Sequence, residues 1–166
     1  MDDTERTDLV DVFYAPFVRA LGNLVITFAQ SESALLELVT ELVGGDENAV
    51  SAIFKAPDYK EKISALIESS GIQGFELSEL VEKLAQYWCD KDVRNRYTHD
   101  EWFVGIDVDS EPMAVPGTRG IPRKKGSTVV FNRPTPDDIW TLAGKFREHD
   151  NLFSYTAYAL RKKRVT

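Results

Sequence analysis

Residues 77–100, LSELVEKLAQYWCDKDVRNRYTHD, decide the fold because apolar side chains recur in them at helical spacing. The steps of three and four run through Leu77, Leu80, Val81, Leu84 and Trp88. Such steps mark one face of a helix, and we predict a helix from about Leu77 to His99. Continued steps lead to Asp92, Asn95 and His99, so the stripe turns polar near its end. Buried polar groups cost about 1–3 kcal/mol each when unpaired, so these need partners, and a substrate is one such partner.

The angles between these polar side chains limit what they can do together. Asn95 and His99 are four residues apart and share one helix face. Arg94 and His99 are five apart, about 140° around the helix, so Arg94 must curl round or serve a site shared with a second chain. Arg96 is nearer in angle to the stripe and is the competing arginine. The alternative interpretation is that Asn95 and His99 are ordinary hydrogen-bonded helix-end residues, because the helix dipole favours a cationic histidine there.

The order Arg94-Asn95, three residues and His99, at the end of a long helix, resembles the motif of the HEPN superfamily (higher eukaryote and prokaryote nucleotide-binding domains). That motif has an arginine, a polar residue that is often asparagine, a few variable residues and a histidine. The resemblance covers these six residues in motif and most of the chain in architecture. In one toxin branch a tyrosine stands two residues after the histidine, where this chain has Glu101.

The resemblance implies a function as well as a fold. Many members of the superfamily are metal-independent ribonucleases that act as homodimers, with the two motifs meeting at the interface. They often belong to toxin–antitoxin or phage-defence systems, some with a nucleotidyltransferase partner as antitoxin, and many others are non-catalytic. On this basis we expect Arg94, Asn95 and His99 to be catalytic, RNA to be the substrate, and neither a cofactor nor a metal to be needed.

Composition bounds the class of protein. The 166 residues suffice for one domain, and no apolar run approaches the roughly 18–20 residues of a membrane span. The acidic start, residues 1–5, is unlike a secretory signal. Cys89 is the single cysteine, so no internal disulfide forms and a reducing compartment such as the cytoplasm fits. We expect Cys89 to be buried, and one cysteine with two histidines gives no zinc cluster.

Charge is distributed unevenly along the chain. The net charge of −7 argues against general coating of nucleic acid. Residues 1–89 hold 6 basic and 16 acidic side chains, whereas residues 90–166 hold 14 and 11. An anionic substrate would therefore be met by the second half.

The first half predicts helices that pack on the stretch around residues 77–99. A short helix from Asp8 to Ala15 precedes Pro16, which interrupts it or opens the next helix. A long helix then follows, closed by Gly44-Gly45. Its apolar stripe is Leu21, Leu24, Val25, Phe28, Leu35, Leu36, Val39, Leu42 and Val43.

Glu32 interrupts that stripe. A carboxylate there is costly unless it is paired. In one interpretation it supports the motif by orienting an arginine or the asparagine. In the other the helix is rotated, and Glu32 lies at the edge of the stripe and reaches water.

Three more helices are predicted. One runs from Asp46 to Ala56, and one from Tyr59 to Ser69 with Asp58 as its N-cap. The last begins at Thr135-Pro136, an N-cap followed by proline at the first helical position. Its core stripe is Ile139, Leu142, Ala143, Phe146, Phe153, Ala157 and Leu160. His149 falls near the edge of that stripe, where we interpret it as structural rather than catalytic.

Between the motif and the last helix the period changes to two. Alternation over residues 102–108 predicts a strand, and residues 127–132 predict its partner, giving a hairpin with a long tip at 109–126. The tip carries four cations, Arg119, Arg123, Lys124 and Lys125. They form either an arm that grips the phosphates of a substrate or a solvated loop without a specific role.

The sequence thus predicts a mainly α fold. It is a single domain over residues 1–166, a bundle of four or five helices with a β-hairpin at about 101–133 inserted before the last long helix. The predicted function is an RNA endonuclease that works as a homodimer. The alternative is a non-catalytic helical module that binds a partner protein or a nucleotide.

Overall fold

The computed structural model describes residues 3–72, 77–106, 114–119 and 131–165, with side chains over 14–72, 79–100 and 133–163 and for Trp102. Five helices make up most of it. They are α1 (Asp3–Leu42), α2 (Glu47–Lys55), α3 (Tyr59–Ser69), α4 (Leu77–His99) and α5 (Pro136–Val165). The mainly α fold with five helices is confirmed, and none of the helices described is long and apolar enough to cross a membrane.

Three short strands lie between α4 and α5: β1 (Glu101–Ile106), β2 (Ala114–Arg119) and β3 (Phe131–Asn132). They form an antiparallel sheet in the order β1-β2-β3. The described partner of β1 is β2, within the segment predicted as the hairpin tip. Of the predicted partner segment 127–132 only Phe131 and Asn132 are described, and they pair with β2. A nearer partner needs a shorter connection, which lowers the entropic cost of closing the loop. Residues 107–113 and 120–130 lie outside the described part.

The chain is organised into two compact units. Unit 1 consists of Met1–Val25 and Lys91–Ala143, and unit 2 of Ile26–Asp90 and Gly144–Thr166. Helices α1, α4 and α5 each contribute residues to both. That residues 1–166 form a single domain stays a prediction.

Helix α1 differs from its prediction in two respects, its length and its buried face. It is continuous through Pro16, so the separate helix at 8–15 is wrong. Proline removes one hydrogen bond, at about 3 kcal/mol in a helix interior, and burial of Phe17 and Ala20 just after it offsets that cost. The buried face of the helix also differs in part from the predicted one within unit 2.

The buried face of α1 in unit 2 is rotated from the predicted stripe. Phe28, Leu35 and Val39 of that stripe are buried as predicted. Thr27 and Ser31, outside the stripe, are also buried, whereas Leu36, within it, is 46% exposed. The hydroxyl of Ser31 donates to the Phe28 carbonyl at 2.7 Å, so a buried polar side chain is satisfied within its own helix. Glu32 is exposed as a result.

The core of unit 2 is built around aromatic rings. The ring of Tyr87 on α4 lies edge-on to Phe146 and Phe153 of α5, with centroids 5.9 and 5.5 Å apart. Phe28 on α1 meets Phe146 at 5.1 Å, also edge-on. Edge-to-face contacts add about 0.5–1.5 kcal/mol beyond burial. They hold α1, α4 and α5 of this unit together, and the α5 residues involved are those the sequence predicts.

The short helices of unit 2 begin as their sequences suggest, with one exception. Asp46 caps α2 by accepting from the backbone N–H groups of Asn48 and Ala49 at 2.9 and 3.2 Å. Asp58 precedes α3 but makes no cap bond. It pairs instead with Lys62 at 2.7 Å, because the i, i+4 spacing offers a cation within reach.

In unit 1, α5 starts with a reciprocal cap. The Thr135 hydroxyl accepts from the Asp138 N–H at 3.1 Å, and Asp138 accepts from the Thr135 N–H at 2.8 Å. These bonds, the backbone one first, lower the pKa of Asp138. Ile139, Leu142 and Ala143 follow as buried residues, as predicted.

Candidate functional site

The motif residues lie on the last two turns of α4, in unit 1. His99 is the final residue of the helix and is exposed. Arg94 and Asn95 are half-buried, and Arg96 is exposed. The end of α4 therefore offers an imidazole to solvent, one turn beyond a partly buried arginine and amide.

Arg94 and Asn95 are bonded to each other. Nη1 of Arg94 donates to Oδ1 of Asn95 at 3.2 Å. This bond fixes the orientation of the Asn95 amide, so that its Nδ2 donor points away from the guanidinium. The Thr98 hydroxyl donates to the Arg94 carbonyl at 3.0 Å, and the Asp100 N–H to the Arg96 carbonyl at 3.0 Å, which keeps the last turn helical.

A tryptophan from β1 anchors this end of α4. Nε1 of Trp102 donates to the Tyr97 carbonyl at 2.8 Å, and the ring of Trp102 packs edge-on against Phe17 of α1 at 5.5 Å. Burial, and secondarily the negative charge of Asp138, raises the pKa of Tyr97. The Tyr97 hydroxyl therefore stays protonated near neutral pH. Because Trp102 contacts both Tyr97 and Phe17, the helix end that carries His99 is anchored.

The other predicted site residues are Glu32 and the four cations of the predicted hairpin tip. Glu32 is exposed and belongs to unit 2, which agrees with the interpretation that it reaches water; its supporting role stays a prediction. Arg119 lies in β2, with its side chain outside the described part. Arg123, Lys124 and Lys125 lie outside the described residues altogether. Their contact with a substrate stays a prediction.

A second polar cluster, in unit 2, was missed from the sequence. Asp90 of α4 and His149 of α5 are buried, each with a side chain only 4% exposed. Nε2 of His149 lies 3.0 Å from Oδ2 of Asp90. The other carboxylate oxygen accepts from Gln86 at 3.0 Å and from Lys145 at 3.3 Å. We call these four residues the Asp90 network.

The Asp90 network is structural in character. His149 packs against Phe153 with the ring planes 18° apart and the centroids at 6.0 Å. Its Nδ1 is buried and has no hydrogen-bond partner among the described residues. A substrate would have to enter the core to reach this imidazole. His149 is thus not at the edge of its stripe, and the interpretation that it is structural agrees with its burial.

Only part of this network carries a signal in the sequence. A histidine beside an apolar stripe predicts a hydrogen-bond partner in the core, and His149 is such a residue. Asp90 was not identified, because the predicted stripe of α4 continues from Trp88 to Asp92, whereas the buried face includes Tyr87 and Asp90 beside Trp88. A sequence with 27 acidic residues does not say which one pairs with His149.

Cys89 is exposed, so its predicted burial is wrong. The same rotation of α4 explains it, since a face that buries Tyr87, Trp88 and Asp90 turns Cys89 outward. Among the described residues no three His, Cys, Asp or Glu side chains are grouped to hold a metal ion. Comparisons of the chain with protein-family models, with curated proteins and with solved structures find no match.

Proposed function

We propose that this chain is a metal-independent RNA endonuclease of the HEPN type, acting as a homodimer in the cytoplasm in a toxin or phage-defence role. The observation that carries the proposal is the end of α4. An exposed His99 follows, by one turn, an arginine and an asparagine that hold each other at 3.2 Å. An imidazole open to solvent, on the turn that follows a guanidinium, suits proton transfer at a phosphate.

The reaction is an internal transfer at the RNA backbone. A base takes the proton of a ribose 2′-hydroxyl, and the 2′ oxygen bonds to the adjacent phosphorus. The bond from phosphorus to the 5′ oxygen breaks, and an acid protonates that leaving oxygen. The products are a 2′,3′-cyclic phosphate and a 5′-hydroxyl, so no water or metal enters the atom balance of this step.

The residues divide these tasks by chemistry. Histidine serves as base or acid near neutral pH, and one His99 cannot do both in a single step. A homodimer supplies two, one from each protomer. Arg94 neutralises the charge that builds on the pentacoordinate phosphate, and Asn95 positions His99 or the substrate.

The β segment between α4 and α5 is inserted in the helical bundle, and in this proposal it binds the RNA backbone. Arg119, Arg123, Lys124 and Lys125 contribute its cations, without choosing a base sequence, because phosphate contacts carry no sequence information. In a toxin role the partner is a nucleotidyltransferase-type antitoxin, as the resemblance implies.

The test is cleavage of total RNA in the presence of a chelator. Wild-type protein is compared with His99→Ala, Arg94→Ala and Arg96→Ala, all purified identically and matched for helicity by circular dichroism. We expect His99→Ala to abolish cleavage and Arg94→Ala to reduce it at least 100-fold, by analogy with loss of one donor to a transition-state oxyanion. Arg96→Ala tests the competing arginine, and we expect it to retain most of the activity if Arg94 is the residue that contacts the phosphate. Equal cleavage by all four proteins would remove His99 from the mechanism.

A non-catalytic module that binds a partner protein or a nucleotide is the second candidate. The bond between Arg94 and Asn95 favours it, because a guanidinium that donates to its helix neighbour has one donor fewer for a phosphate. The net charge of −7 favours it too. This candidate predicts no cleavage by wild-type protein, together with saturable binding of a nucleotide measured by calorimetry.

A further inference from the structure

The end of α4 lacks the cap that closes many helices. A helix commonly ends on a glycine in the left-handed conformation, whose N–H bonds to one of the last carbonyl groups. Here Asp100 follows His99, and none of the described residues other than glycine has a positive φ. The Asp100 N–H closes the last helical turn on the Arg96 carbonyl at 3.0 Å. The carbonyl groups that follow need partners from outside the helix.

The indole of Trp102 supplies one of these partners. Its Nε1 donates to the Tyr97 carbonyl at 2.8 Å. The two residues are five positions apart, so the bond closes a short loop of chain that runs from Tyr97 to Trp102 and contains His99. A closed loop of this length has few conformations open to it. The bond therefore restricts the backbone that carries the imidazole.

Two other elements hold the indole in place. Its ring lies edge-on to Phe17 of α1, with the centroids 5.5 Å apart, and Phe17 is buried. In the backbone of the sheet, Trp102 is in register with Thr118 of β2. All of these residues belong to unit 1, as His99 does. The last turn of α4 therefore cannot shift without breaking the indole bond or moving the indole away from Phe17.

We propose that Trp102 is a positioning residue for His99. It acts through the Tyr97 carbonyl and contacts neither the RNA nor the reacting atoms. A displacement of about 1 Å at a reacting group can cost about 100-fold in rate, so a bond that fixes the helix end affects the chemical step. The inference deepens the proposed function and rests on it for the effect on cleavage. It adds to the site a residue that lies outside the motif at residues 94–99.

The first experiment is amide hydrogen exchange followed by NMR on the free, full-length protein, so it does not depend on cleavage. Trp102→Phe keeps an aromatic ring against Phe17 and removes the N–H donor. We expect the Asp100 amide to exchange about fivefold faster in this variant, the factor that corresponds to one net hydrogen bond. The imidazole signals of His99 should shift as well, whereas those of His149, in unit 2, should stay where they are.

The second experiment measures kcat and KM for one defined RNA oligonucleotide in the presence of a chelator, at a temperature where circular dichroism shows every protein folded. We expect Trp102→Phe to lower kcat by about tenfold and to change KM by less than about twofold, because it misplaces the imidazole and leaves the groups that contact RNA unchanged. Trp140→Phe is the matched control. It makes the same substitution in the same unit, at a side chain that is 44% exposed, and should leave kcat and the exchange of Asp100 unchanged.

The outcomes separate this inference from the proposed function. Asp100 exchange in Trp102→Phe that equals the exchange in the wild type overturns the inference, and so does a kcat equal to that of an active wild type. A higher KM with unchanged kcat overturns it too, because Trp102 would then contact the RNA itself. A wild type that does not cleave RNA overturns the proposed function alone, and the exchange rates then decide whether Trp102 fixes the helix end.

Discussion

The two histidines of this chain occupy opposite environments. His99 ends α4 in unit 1 and is exposed, whereas His149 lies inside unit 2 with its Nε2 3.0 Å from a buried carboxylate oxygen of Asp90. Both lie on helices whose apolar stripes give way to a polar residue. The residue type is therefore uninformative by itself, and access to solvent decides which histidine can do chemistry and which holds the core.

Removing the partner of the buried histidine is the most disruptive way to test this difference. Asp90→Asn leaves His149, Lys145 and Gln86 around a neutral amide. We expect the free energy of unfolding to fall by about 3–5 kcal/mol, the range seen when one partner of a buried pair is removed. Urea unfolding followed by circular dichroism measures it.

Asp92→Asn is the matched control, because Asp92 is an exposed carboxylate on the same helix. It should change the free energy of unfolding by less than about 0.5 kcal/mol. If the two variants were equally stable, the Asp90 network would not hold unit 2 together.

Replacing each histidine in turn sharpens the comparison. His149→Ala removes a buried ring and leaves Asp90 with one partner fewer, so we expect a loss of about 2–4 kcal/mol in stability. His99→Ala should stay within about 0.5 kcal/mol of the wild type. The same unfolding measurement on both proteins separates them. A His99→Ala protein as unstable as His149→Ala would mean that the loss of cleavage expected for it reports unfolding.

The smallest effect concerns the cap at the start of α5, which lies apart from both histidines. The pKa of Asp138 is lowered by its bonds to Thr135, so its contribution is complete above the ordinary value of 3.8 and disappears as pH falls through the lower folded value. Thr135→Ala removes the cap and should cost about 1 kcal/mol at pH 7. The penalty should shrink below pH 3.8, as thermal melts at several pH values would record. An unchanged penalty in acid would show that the carboxylate is not part of the cap.

Local patterns sufficed for most of the helices. The bounds of α4 agree with the predicted 77–99, and Thr135-Pro136 marks the start of α5. Capping residues and apolar spacing act within a few residues of the chain, so they are legible in the sequence. The sequence did not predict which face of α1 and of α4 is buried. A turn of one position exchanges Glu32 for Ser31 on the buried face of α1, and the choice depends on which neighbours fill the space.

The partner of β1 shows the same limit at longer range. Two segments with strand character follow it, and the nearer one, β2, is the one that pairs. Residues 127–132 were predicted as the partner strand, because the prolines and glycines of 109–126 argued for a loop. Strand pairing depends on the entropic cost of closing the connection as well as on strand propensity. The residue pattern reports the propensity and not the cost.

The sequence by itself determined a mainly α fold, where four of the helices begin, and that a histidine follows an arginine and an asparagine at the end of one of them. These depend on spacing and on capping, which neighbouring residues control. Tertiary structure alone decided that His99 is exposed and His149 buried, and that Asp90 is the carboxylate chosen from many. It did so because burial and ion pairing depend on contacts between residues that are distant in the chain, as the 59 positions between Asp90 and His149 illustrate.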